Sequence, residues 1–288
     1  MYEMRKKIKP FFVIAFFLLF VAILLTTRGM ANQQKQVKNR QVSSTTSIST
    51  VSSSSTTSTS SSYYIEDALS MKPIIDVSGW QLPSDMDYDV VSKNISGAIV
   101  RIQSGSHTKK DNNASDQNGL DKSYKTHIEE FQKRNIPVAV YAYVTGKDEK
   151  AMKKEAASFY NAASKYKPTF YWLDVEEKTM DDMNAGVETF RQELKKLGAK
   201  NIGIYIGTYF IEEHSISTQK FDSVWIPTYG TDSGYYNAAP NTDLDYDLHQ
   251  YTSAGYINGF PHSLDLNLLT TLKDPNEVYK KLFTVPTE

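Results

Sequence analysis

The stretch Phe170-Tyr171-Trp172-Leu173-Asp174-Val175-Glu176-Glu177 is apolar until it ends in carboxylates. Side chains of a strand point alternately to its two faces, so Asp174 and Glu176 share one face, with Cα atoms roughly 6.6 Å apart at about 3.3 Å rise per residue. Two carboxylates converging at the end of a buried strand are costly unless a site uses them. Glycoside hydrolysis is the chemistry that most often needs such a pair.

Outward from this strand, short apolar runs alternate with amphipathic stretches. Strands are predicted at 73–77, 98–102, 137–143, 169–175, 202–206, 223–228 and 248–252. Helices are predicted at 122–135, 148–166, 179–197 and 277–283, the third opened by Thr179 and Asp182 and closed by Gly198. This alternation implies an α/β fold with a mainly parallel sheet. Seven or eight strands in the space available favour a β/α barrel, whose site lies at the C-terminal ends of the strands. Asp76, Arg101, Gln103, Tyr141, Tyr143, Asp174, Glu176, Tyr205, Tyr229 and Gln250 all fall at or near that rim.

The N-terminal part reads differently. Phe11–Leu25 is unbroken apolar sequence that Thr26 and Thr27 extend, preceded by Arg5, Lys6, Lys7 and Lys9. This predicts a cytoplasmic basic tail at 1–10 and a transmembrane signal-anchor helix at 11–27. Cleavage after Gly29-Met30-Ala31, releasing a secreted protein, is the competing expectation. Residues 28–70 read as a disordered Ser/Thr-rich linker, too polar to fold, and 71–288 as the barrel.

The chain of 288 residues has no cysteine, which rules out disulfides and thiolate metal sites. Residues 1–62 carry a formal +7 and the remainder −8, so the folded part lacks the basic face a nucleic acid needs. The five histidines show no metal-ligand spacing, and the glycines form no phosphate-binding loop. Neither metal nor cofactor is expected.

The ordered blocks I-D-V-S-G-W-Q (75–81), I-V-R-I-Q-S-G (99–105), V-A-V-Y-A-Y (138–143), Y-W-L-D-V-E (171–176), I-G-I-Y-I-G (202–207), V-W-I-P-T-Y (224–229), the run from His249 to Phe260, and L-D-L-N (264–267) resemble glycoside hydrolase family 25, the N-acetylmuramidase type of lysozyme. The resemblance spans roughly 73–269. It implies an irregular, TIM-like barrel and cleavage of the β-1,4 bond between N-acetylmuramic acid and N-acetylglucosamine in peptidoglycan. It places the acidic site at Asp76, Asp174, Glu176 and Asp265. Glu176 is expected as general acid, its proton held by neighbouring carboxylates and apolar walls. Asp174 is expected at the anomeric centre, either as an ionised nucleophile or as support for the substrate's own N-acetyl group, which the resemblance favours. Asp76 and Asp265 bind sugar and tune the other acids, or cap turns.

Tyr141, Tyr143, Tyr205 and Tyr229 are candidates for packing on sugar faces, with Trp225 a weaker one. Gln250 donates to a glycan or makes a structural hydrogen bond. Two departures stand out: 101–105 lacks the acid many members carry there, and the loop 106–121 is polar and unusual. A non-catalytic glycan-binding or scaffold protein on the same barrel is the alternative function. A chitinase-like barrel wants a further Asp where Trp172 stands.

Overall fold

The structure, a computed structural model, describes residues 64–105 and 112–287. The expected basic tail, the apolar run 11–27 and the Ser/Thr tract up to 63 lie outside the described residues, as does 106–111. Among the described residues no helix is long and apolar enough to cross a membrane.

Eight strands close into one barrel in chain order: β1 Ile74–Val77, β2 Gly97–Gln103, β3 Val138–Tyr143, β4 Tyr171–Val175, β5 Ile202–Ile206, β6 Ser223–Pro227, β7 Leu248–Gly255 and β8 Leu264–Leu269. The helices are α1 Ile65–Ser70, α2 Tyr88–Val91, α3 Tyr124–Lys133, α4 Glu149–Ala163, α5 Met183–Leu197, α6 Thr208–His214 and α7 Pro275–Phe283. The TIM-like barrel expected from the sequence is therefore present, and four of its helices were visible as amphipathic repeats. The short helices α2 and α6 were not predicted, and three further details differ. Residues 65–70, assigned to the linker, form α1 and bury Ala68. Helix α5 starts after Asp182, whose side chain accepts from Ala185 N at 2.9 Å, rather than at Thr179. The last strand, β8, was not separated as an element, and it pairs antiparallel with both β7 and β1.

That reversal decides where β8 delivers its side chains. The first residues of β8 reach the rim where β1–β7 end, and Asp265 lies directly opposite Asp76 in the register.

Alternation divides the strands into two faces. Outward residues such as Ile75, Val100, Val140 and Ile204 pack with Phe131, Phe159 and Phe190 of the helices. Inward residues Ile74, Ile99, Phe170, Trp172, Trp225, Leu248 and Leu269 fill the barrel as a second core. Phe170 stacks on Trp172 at 4.8 Å between centroids, and Trp172 meets Trp225 edge-on at 5.7 Å. This aromatic plug fills the lower barrel, so the next inward residues along each strand face the mouth.

The plug needs a gap in its wall. A Cβ at Gly203 would lie 2.3 Å from Trp172 Cζ3. Gly203→Ala is expected to cost roughly 1–3 kcal/mol by overpacking, read as a lowered urea midpoint. An unchanged midpoint would show that the Trp172 ring is free to move aside.

Candidate active site

Above the aromatic plug the inward positions turn polar. A cavity of about 120 Å³ is lined by Asp76, Tyr141, Asp174, Glu176, Tyr205, Trp225, Tyr229, Gln250 and Asp265. Its walls come from β1, β3, β4, β5, β6, β7 and β8, so barrel closure alone brings together residues far apart in sequence. A larger hollow of about 300 Å³ opens at the other end of the barrel, beside Tyr160, Thr169 and Asn201, with no carboxylate in its lining.

Asp76 is the most heavily bonded of the acids. Its Oδ2 accepts from Gln250 Nε2 at 2.9 Å and from Asn267 Nδ2 at 2.8 Å. Each donor is itself fixed. Asn267 Oδ1 accepts from Trp225 Nε1 at 2.8 Å. Gln250 Oε1 accepts from the hydroxyls of Tyr205 at 2.7 Å and Tyr229 at 2.5 Å. These bonds also assign the two amide orientations. Burial raises Asp76 to about 6, an effect that the Asn267 and Gln250 bonds oppose. Asp265, beside it, is pushed up to about 9, by burial first and then by the Asp76 charge. Asp265 is thus the proton-bearing member of this pair.

The second pair is Asp174 and Glu176. Asp174 is buried, whereas Glu176 lies just beyond the last residue of β4 and is exposed. The Glu176 carboxyl lies close enough to bear on the ionisation of Asp174. Burial, then the Glu176 carboxyl, holds Asp174 well above the ordinary carboxylate range, with Arg101 opposing. The sequence had assigned the apolar walls to Glu176 and an ionised carboxylate to Asp174. Burial instead falls on Asp174, because the strand ends between the two. Asp174 Oδ1 is buried with no hydrogen-bond partner.

All four predicted acids therefore meet in one cavity, together with Tyr141, Tyr205, Tyr229 and Gln250. Tyr143 is not in its lining; its phenol lies within reach of Glu177. Gln250 has both carbonyl lone pairs committed to tyrosines, so it positions Asp76 and keeps one amide hydrogen for other partners. Trp225 lines the cavity base and braces Asn267. One contributor was not singled out from sequence: Asn267 follows Asp265 by two residues, the spacing that places both on the inward face of β8. Arg101, expected at the rim, points inward from β2, and its Nε donates to the buried Asp121 at 3.0 Å. Among the described residues no group of side chains suited to a metal ion occurs.

The family described as glycosyl hydrolases family 25 matches residues 75–260. Among solved structures, a glycosyl hydrolase 25 of Streptococcus pneumoniae, described as a virulence factor participating in host cell invasion, is 60% identical with TM-score 0.74, over 78% of this chain and 98% of its own. The catalytic domain of an endolysin from bacteriophage P40 of Listeria monocytogenes is 25% identical with TM-score 0.61, over 72% of this chain and 97% of its own. A bacterial lysozyme from Streptomyces coelicolor, 15% identical with TM-score 0.56 over 75% of this chain and 99% of its own, shares the fold. Among curated proteins none matches the chain.

The Asp76–Asp265 pair has a consequence for stability. An aspartate titrates near 3.9 in the unfolded chain, whereas Asp265 holds its proton to about 9 in the fold. The stability it contributes is complete below about pH 4 and is lost as pH rises towards 9. Asp265→Asn, which mimics the protonated form, is expected to raise the melting temperature at pH 9 relative to wild type and to change it little at pH 5. Parallel melting curves for the two proteins across that range would exclude a retained proton.

Proposed function

Because the chain belongs to glycosyl hydrolase family 25 and is a glycoside hydrolase, we propose that it is an N-acetylmuramidase, cleaving the β-1,4 bond between N-acetylmuramic acid and N-acetylglucosamine in peptidoglycan. The observation that carries this reading is that Asp174, with an unpartnered buried oxygen, and Glu176 line one cavity with Asp76 and Asp265. The phage endolysin likeness supports a cell-wall substrate.

The spacing of the acids bears on the mechanism. Carboxyls that act as acid and nucleophile across a bond stand about 5–5.5 Å apart, and inverting pairs about 6.5–9.5 Å. Asp174 and Glu176 are two residues apart at the end of one strand and line one cavity, so we read them as acting together from the same wall. This favours substrate assistance. In that reading Glu176 protonates the glycosidic oxygen as the C–O bond breaks. The substrate's acetamido oxygen attacks the anomeric carbon from the other face. Asp174, as the carboxylate, accepts the acetamido N–H at Oδ1 and stabilises the positive charge of the cyclic intermediate. Glu176 then removes a proton from water, which opens the ring and restores the acid. Asp76 and Asp265 bind the sugar and set the field around the first pair. Tyr141, Tyr205 and Tyr229 shape the cavity for a sugar ring, with Tyr143 at its edge.

We place the protein at the outer face of a cell membrane, held by residues 11–27 and spaced from it by the Ser/Thr tract, with 1–10 on the cytoplasmic side. The support is the apolar run and its basic flank.

Wild-type protein is expected to release reducing ends from purified peptidoglycan, and Glu176→Gln to lower kcat by about 10²–10⁴. Equal rates would remove Glu176 from the role of acid. Glycan binding with no release from several wall chemistries would favour a binding protein on this barrel.

A further inference from the structure

Three tryptophans occur in the chain. Trp172 and Trp225 are buried, but Trp80 is 60% exposed. It stands in the loop that leaves β1, four residues after Asp76 and at the end of the barrel where the acidic cavity opens. An exposed indole on a floppy loop would mean little. This loop is built rigidly.

Nearly every polar group around the ring is tied down. Ser78 N donates to Gln81 Oε1 at 2.9 Å, and Gln81 N donates back to Ser78 O at 3.0 Å. Trp80 N donates to Ser78 Oγ at 3.3 Å. Gly79 N donates to the buried Asp121 Oδ2 at 2.6 Å. Gly79 also packs so tightly on Ala114 that a Cβ would lie 2.3 Å from its carbonyl oxygen. Gln81 O meets Nε2 of the fully buried His127 at 2.9 Å, and His127 Nδ1 meets Tyr88 OH at 2.7 Å. His127 therefore donates from Nε2 and accepts at Nδ1, and burial lowers its pKa, keeping the ring neutral.

The anchors Asp121 and Ala114 belong to the polar segment that departs from the family pattern, so that segment has a visible task in holding the Trp80 loop. A single exposed apolar side chain is common on a protein surface, but this one is carried on an anchored backbone at the end of the barrel where the acids lie. A flat ring carried on a fixed backbone suits a ligand with an apolar face. The cavity of about 120 Å³ is small against a polymer, so a glycan cut here must continue across the rim.

We infer that Trp80 is a stacking platform for an N-acetylhexosamine of the glycan strand, outside the acidic cavity on its β1 side. This rests on the proposed glycan substrate. A platform of this kind favours polymeric substrate over short fragments, because only a strand reaching past the cavity touches it.

The full chain is tested in two ways. In the Glu176→Gln protein, acrylamide quenching of tryptophan fluorescence reports mainly on Trp80, since the other two indoles are buried. Peptide-free glycan strands are expected to protect it, and Trp80→Phe in the same background to lose that protected signal. In kinetics on the same strands, Trp80→Ala is expected to raise KM about tenfold, a difference of about 1.4 kcal/mol, with kcat within twofold. On a minimal disaccharide glycoside it should leave kcat/KM unchanged, and Trp80→Tyr should restore most of the polymer affinity. Strands that bind without protecting Trp80, or a polymer KM within twofold of wild type in Trp80→Ala, overturn the proposal. Protection by glycan with no hydrolysis by wild type supports the platform and removes the hydrolase reading alone.

Discussion

Four carboxyl groups in one small cavity is the constraint on which the rest of the mouth depends. Burial disfavours ionisation of Asp76, Asp174 and Asp265, and neighbouring like charges add to that. The barrel resolves the conflict by pairing them. Asp265 beside Asp76, and Asp174 beside Glu176, are each held above the ordinary carboxylate range, burial first and the neighbouring acid second. The amides of Gln250 and Asn267 then support the one carboxylate, Asp76, whose pKa stays lowest among the raised three. Tyr205, Tyr229 and Trp225 hold those amides in place, so the ring stack of the barrel floor and the charges of its mouth form one connected network.

This connection explains why the aromatic plug is so bulky. Trp225 fills the barrel interior and, through its single N–H, orients Asn267. Packing at the floor is thereby converted into direction at the site. A smaller apolar residue at 225 would fill some of the volume but leave Asn267 free to turn its carbonyl towards Asp76, which would repel it.

Much of this was legible in the sequence, for physical reasons that differ from residue to residue. Asp174 and Glu176 were visible because a strand alternates and theirs ends in acids. The helices at 149–163 and 183–197 were visible because each buries one apolar face. Asp265 came only through family resemblance. The rule that sites lie at strand C-termini could not place it, since β8 runs antiparallel and presents its beginning at the rim. Asn267 went with it, although the two-residue spacing was available. Helix α1 was hidden because a Ser/Thr tract runs up to it and only Ala68 is buried. The division of labour between Asp174 and Glu176 was not legible at all. It depends on β4 ending at Val175, and a boundary shift of one residue lies within the ordinary uncertainty of reading strands from composition.

That same boundary ties structure to chemistry. A general acid must meet substrate and water in turn, so it belongs at the rim; a group that stabilises a transient cation works best in low dielectric. Ending the strand between the two residues gives Glu176 the exposed position and Asp174 the buried one. A strand one residue longer would draw Glu176 inward against Asp174, and two buried acids would then compete for a proton with neither able to exchange it with water. The D-x-E spacing therefore sets the two environments as well as the residues: one carboxyl buried and held above its ordinary range, the next open to water.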